Sequence, residues 1–155
     1  PLVLPAVLWV AGLHGMALTL GIDASLGGLW LAHTLAATPY VMLSLHGAYA
    51  GFDPRLAHTA ASLGRHDASF LLRVKWPLLR ASLASAFALG FSVSVAQYLT
   101  TIYIGAGRFA TVTTEAIQPA AAGQRTLTAA YAVLQWLLPV AAFALAARMG
   151  RARRF

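Results

Sequence analysis

Leu29-Trp30-Leu31-Ala32-His33-Thr34-Leu35-Ala36-Ala37-Thr38-Pro39-Tyr40-Val41-Met42-Leu43-Ser44-Leu45-His46-Gly47-Ala48 runs for twenty residues without a Lys, Arg, Asp or Glu. At 1.5 Å per residue a helix of this length covers about 30 Å, the thickness of a bilayer's hydrocarbon core. Three further uncharged runs flank it. One precedes it, from about Leu2 to Leu20, and is separated by the polar break Gly21-Ile22-Asp23-Ala24-Ser25. Another follows Arg80 and stays uncharged to Gly107, with its helix expected to end near Thr101. The last extends from about Thr126 to Ala147. Pro5, Pro39 and Pro139 fall within or at the ends of these runs, where membrane helices tolerate proline. The pattern predicts an all-α, polytopic membrane helix bundle with four transmembrane helices.

Composition agrees. Of the 155 residues 59% are apolar and 10% charged, against about 25% charged in an ordinary soluble domain. The mean hydropathy is +0.71. These values exclude a typical soluble enzyme or nucleic-acid binder, and the absence of cysteine removes disulfides, thiolate metal sites and cysteine nucleophiles. The apolar run begins at once after Pro1 with no basic flank, so it does not read as a signal peptide. It reads as the interior of a longer membrane protein.

The net charge of +7 is distributed unevenly. Arg55, Arg65, Arg73, Lys75 and Arg80 lie between the second and third runs, and Arg148, Arg151, Arg153 and Arg154 follow the fourth. Only Arg108 and Arg125 lie on the other side. By the positive-inside rule, 49–80 and the C-terminus are cytoplasmic, while 21–28 and 102–125 face outward. Membrane orientation therefore accounts for the basic excess without a nucleic-acid partner.

Within the cytoplasmic stretch, Asp53 reads as an N-cap and Pro54 as a first helical residue. The helix Arg55–Leu63 would end at Gly64, a residue suited to a left-handed C′ position. Asp67 would cap a second helix, Ala68 to about Trp76, joined by Pro77 to the third span. Phe70, Leu71, Val74 and Pro77 share one face, with Arg73 and Lys75 turned elsewhere. Two readings fit: a pair of helices built to dock on another protein, or an ordinary solvated connector.

The stretch Thr59-Ala60-Ala61-Ser62-Leu63-Gly64, followed after nine residues by Val74-Lys75-Trp76-Pro77, resembles the E-A-A-x3-G-x9-I-x-L-P loop of ABC-importer permeases, the MetI-like family. Gly64, Val74, Trp76 and Pro77 take the glycine, isoleucine, leucine and proline positions, and Ala60 the second alanine. His58 stands where glutamate is usual and Thr59 at the first alanine. The resemblance extends over the whole chain as the last four spans of one permease domain, 1–155, N-terminally incomplete. It implies that 53–80, with His58, Thr59, Ala60, Ala61, Gly64, Val74, Trp76 and Pro77, is the coupling loop that docks on a separate ATPase. It further implies a second permease domain (identical, different or fused), an extracytoplasmic binding protein, and a bacterial inner-membrane location. No cofactor is expected on this chain, ATP and magnesium being held by the ATPase. The nearest style is that of permeases for inorganic anions, iron(III), polyamines and thiamine. His58 should weaken or rearrange the docking, because a neutral imidazole pairs poorly with a basic partner.

Rival classes leave weaker marks. No Gly-x4-Gly-Lys-Ser/Thr loop occurs, so the chain should not hydrolyse ATP itself. A membrane-embedded histidine-dependent enzyme or metal site would need three converging ligands. His33 and His46 are about 20 Å apart along one helix, and His14, His33 and Asp23 form no recognised spacing. Histidines that hydrogen-bond between packed helices are the simpler reading. The other alternative is an unrelated helical transporter or channel subunit.

The third run carries a polar stripe. Gly90, Ser94, Gln97 and Thr101 recur at i, i+4, i+7 and i+11, one helical face, and polar groups at membrane depth usually face a bundle interior or cavity. The stripe therefore reads either as a candidate substrate path or as a small-residue packing seam. Outside, Phe109–Pro119 reads as a short helix or a plain loop.

Overall fold

A computed structural model describes residues 3–64 and 67–151, the side chain of Asp67 excepted. The roles expected of Arg65, Arg153 and Arg154, and the cap expected of Asp67, lie outside these limits. Among the described residues every regular element is helical: α1 (Ala6–Thr19), α2 (Leu26–Ala50), α3 (Arg55–Ser62), α4 (Asp67–Phe70), a π turn (Leu71–Lys75), α5 (Trp76–Val95), α6 (Tyr98–Gly105), α7 (Val112–Ala121) and α8 (Arg125–Arg151).

Ser25 starts α2 as an N-cap, its Oγ accepting from the Gly28 N–H at 3.0 Å. Pro39 lies inside that helix and supplies no N–H. Around it, the Thr34 and Thr38 hydroxyls donate to the carbonyls of Trp30 and Thr34, at 2.8 and 2.7 Å. Two helical stretches are long and apolar enough to cross a membrane. These are Ala68–Val95 (28 residues, mean hydropathy 1.6) and Arg125–Arg151 (27 residues, 1.8). α2 has 25 residues, and α1 is a shorter apolar helix of 14.

α5 lies at the centre, packed between α2 and α8, while α6 sits against α1 and α2, and α7 against α8. Leu13 and Ala17 of α1, Ala32 of α2 and Ile104 of α6 form a small buried cluster, with Ile104 only 1% exposed. Most large apolar side chains point outward instead. Trp30 is 80% exposed, Phe87 74% and Trp136 66%, a distribution suited to lipid or to neighbouring membrane helices and costly in water.

Two expectations need correction. The second cytoplasmic helix is not joined to the third span through a break at Pro77, because the helix continues from α4 through the π turn into α5. The Trp76 N–H donates to the Leu71 carbonyl, five residues back. Pro77 would clash with the carbonyl of Arg73 in a regular α turn, and the wider turn around Arg73 accommodates the ring. The third span, expected to run unbroken to about Thr101, instead ends at Val95. Gln97 leaves the helical region (φ −78°, ψ 82°) and α6 starts at Tyr98. Neither glycine nor proline marks this break. The Val95 carbonyl freed at the break accepts from the Thr113 hydroxyl, while the Thr101 hydroxyl bonds back onto Gln97 O within the first turn of α6.

α2 and α5 cross most closely at Gly90, where an added Cβ would sit 2.8 Å from Val41 Cγ2. Gly90→Val should overpack this crossing and cost about 1–3 kcal/mol, read as a lowered melting temperature of the detergent-solubilised protein. Val41→Ala in the same chain should recover part of the loss. Full additivity of the two changes would mean that the crossing is not where the strain falls.

Candidate functional site

Two regions carry the residues singled out by sequence. The first is the segment 53–77. Asp53 Oδ1 accepts from the Arg55 N–H at 2.8 Å, which secures the first turn of α3. At the other end, Leu63 closes the helix and Gly64 adopts φ +67° with its N–H on Ala61 O at 2.9 Å. That is the left-handed conformation expected of this glycine, and one that penalises any Cβ. No residue of α3 is buried. His58, Thr59 and Ala61 are exposed and Ala60 is half-buried. The Thr59 and Ser62 hydroxyls turn back onto the carbonyls of Arg55 and His58.

Val74, Trp76 and Pro77 lie apart from α3, on the π turn and the start of α5, with Trp76 half exposed. The segment is seated on the end of α2 by aromatic contacts. Phe52 and Phe70 meet edge to face at 6.1 Å, and Lys75 Nζ lies over the rings of Tyr49 (4.5 Å) and Phe52 (5.4 Å). Sequence reading placed Lys75 off the apolar face but could not find the rings it covers, since they come from the preceding span.

The second region is the broken third span. Gly90, Ser94, Gln97 and Thr101 do not share one continuous face, because the backbone turns at Ala96 and Gln97. Gly90 and Ser94 border an open groove of about 980 Å³ between α2 and α5, together with His33, Trp30, Phe87 and Phe91. No Asp, Glu, Lys or Arg lines it. Gln97 is instead committed locally, its Oε1 accepting from the Thr100 hydroxyl at 2.7 Å, and Thr101 is buried.

His33 joins these pieces as a histidine that hydrogen-bonds between packed helices, the role expected of it. Its Nδ1 lies 2.9 Å from Ser94 Oγ and its Nε2 3.0 Å from Thr101 Oγ1. A hydroxyl carries one proton, and that of Thr101 goes to Gln97 O. Nε2 must then be the donor to Thr101, and Nδ1 the acceptor from Ser94. The chain runs one way: Ser94 O–H to His33 Nδ1, His33 Nε2–H to Thr101, Thr101 O–H to the Gln97 carbonyl.

The other described histidines lie apart from this node. His14 packs edge to face on Tyr103 at 6.0 Å, and His46 and His58 are exposed. Among the described residues no three His, Asp or Glu side chains converge on a common point. In the segment expected to face outward, α7 is a capped helix. The Thr111 N–H donates to Thr114 Oγ1 at 2.8 Å, and the Thr114 N–H to Thr111 Oγ1 at 3.3 Å. The helical reading of 109–119 therefore holds over Val112–Ala121.

An apolar, all-helical chain whose large apolar side chains are mostly exposed is built as a membrane protein. Its relatives are of that kind. Over 151 residues, 97% of this chain, it is 40% identical to the inner membrane ABC transporter permease protein YnjC of Escherichia coli K12, covering 30% of that protein. It is 25% identical over 100 residues, 64% of the chain, to the spermidine/putrescine transport system permease protein PotC of Haemophilus influenzae, covering 39% of it. It is also 29% identical over 113 residues, 67% of the chain, to the probable molybdenum ABC transporter permease protein HVO_B0370 of Haloferax volcanii, covering 42% of it. The chain belongs with the permease subunits of ABC transporters, and it spans less than half the length of the relatives it matches. No family model matches it, and no solved structure does.

Lys75→Met keeps the length of the stem and removes the charge. The segment's seat on α2 should loosen by roughly 0.5–1 kcal/mol, the range for a partly exposed cation–π contact. Limited trypsin digestion of the solubilised protein should then cleave after Arg55 about two- to fivefold faster. Unchanged cleavage kinetics would mean that the ammonium does not hold the segment.

Proposed function

We propose that this chain is part of the membrane-spanning permease component of an ABC importer in the bacterial inner membrane. It spans the bilayer four times, through α1, α2, the continuous helix ending at Val95, and α8. The segment 53–80 and the C-terminus lie in the cytoplasm, and α7 lies on the outer side beneath an extracytoplasmic binding protein. A second permease domain completes the path. ATP and its magnesium are held by separate ATPase subunits, and this chain performs no chemistry of its own.

The observation that carries this reading is α3. Asp53 secures its first turn and Gly64 its exit, and the stretch that follows it is seated on the end of α2 through Phe52, Phe70, Tyr49 and Lys75, yet none of α3's own residues is buried. A short helix held next to that seat and left open among the described residues suits insertion into a partner's groove. His58, Thr59, Ala60 and Ala61 would face that partner, with Gly64 setting the exit and Val74, Trp76 and Pro77 the junction with the span. Closure of the ATPase pair would then be transmitted as a rotation, switching the path between inward- and outward-open states. Gly90 and Ser94, with Gln97 and Thr101 behind them, are the candidate path residues. The uncharged groove fits a path that passes substrate by hydrogen bonds and shape, with selection made largely by the binding protein.

Gly64→Val is the direct test. A Cβ in the left-handed conformation costs about 1–2 kcal/mol, and a β-branched side chain more. The full-length permease carrying it should insert normally, while ATPase co-purification, binding-protein-stimulated ATP hydrolysis and uptake fall together. His58→Glu should be tolerated and should tighten ATPase association. Normal transport by the Gly64 variant would reduce the segment to a connector.

The topology is tested separately by cysteine labelling of intact cells with an impermeant reagent. A cysteine at Ala120 should be labelled and one at Ser62 should not. Labelling at Ser62 would reverse the orientation and remove the coupling assignment.

A further inference from the structure

We propose that His33 is a positioning residue that latches α2 to both halves of the broken third span and thereby fixes the α5–α6 angle beside the groove. The proposal rests on the permease reading above. Its ring bonds to Ser94, in the last turn of α5, and to Thr101, in the first turn of α6, so one rigid side chain from a third helix ties together the two sides of the break. The tie ends at the break itself, because Thr101 passes its proton to the carbonyl of Gln97. Both ring nitrogens are occupied, which leaves no polar atom for a passing solute and separates this role from that of a binding residue. The imidazole is also planar and stiff. If α6 tilts relative to α5, the ring follows one hydroxyl and loses the other, so a change of angle at Ala96–Gln97 requires the latch to open.

The test uses the full-length transporter reconstituted with its ATPase and binding protein, and measures substrate taken up per ATP hydrolysed. His33→Leu keeps the bulk and removes both bonds. The coupling ratio should fall roughly tenfold, the factor that two interhelical hydrogen bonds in a membrane bundle correspond to, with ATP hydrolysis continuing. His33→Gln, which offers a donor and an acceptor on one side chain, should recover most of the ratio. Ser94→Ala and Thr101→Val should each give intermediate ratios and add nothing further to His33→Leu. A wild-type ratio in His33→Leu, or full additivity with Ser94→Ala, would overturn the latch. If His33→Leu fails to assemble, the Ser94 and Thr101 variants decide, and wild-type ratios in both would leave His33 a packing residue. Failure of the permease reading looks different: the unmodified protein would then retain no ATPase on purification.

Discussion

In hydrocarbon there is no water to take up an unpaired backbone N–H or C=O, and each costs several kcal/mol if left alone. This constraint governs the whole molecule. It makes helix the only regular structure among the described residues, and it decides how the chain departs from helix where it must. At Pro39, threonines surround the missing donor. At Pro77, a π turn widens the ladder. At Ala96–Gln97, where α5 stops and α6 begins, the carbonyls of Val95 and Gln97 accept from Thr113 and Thr101. At this break α7 supplies a hydroxyl to the Val95 carbonyl, and His33 of α2 bonds the flanking hydroxyls of Ser94 and Thr101.

The same residues explain what could be read in advance and what could not. The uncharged runs, their polar separators and the turn at Gly64 are local properties, and the limits of α1, α2, α3 and α8 fall within a few residues of the expected ones. Asp53 was legible as a cap because its bond to Arg55 is two residues long. The break after Val95 was not, because Phe91 to Thr101 contains neither glycine nor proline, and one bond at the break comes from Thr113, eighteen residues further along the chain. His33 was visible as a histidine in an apolar run, but its partners lie 61 and 68 positions away. Its role depends on the relative height of α2 and α5, which no spacing within either helix encodes. Lys75 was hidden for a related reason, since it reaches back across α3 to Tyr49 and Phe52.

The two regions share their supports. α2 carries Tyr49, one of the rings under Lys75, at one end and His33 nearer the other, while α5 begins at the π turn and ends at the break. Between these points Val41 of α2 lies against Gly90 of α5. In the proposed permease, a force applied to α3 would reach the groove through this pair of packed helices. The outward-facing apolar residues do not share in this path. They meet lipid or other membrane helices, and their identity is constrained mainly by hydropathy.

The π turn at Leu71–Lys75 has a geometric consequence for how such a segment evolves. A π turn holds one residue more than the α turn it replaces, so losing or gaining a single residue there turns everything before it by about 100° around the helix axis and shifts it by about 1.5 Å. The packing of α5 against α2 and α8 would be untouched. The π turn is thus a vernier set between a packed bearing and an adjustable handle. By single-residue steps, the direction of approach to a partner could be altered while the membrane-embedded part of the machine kept its register.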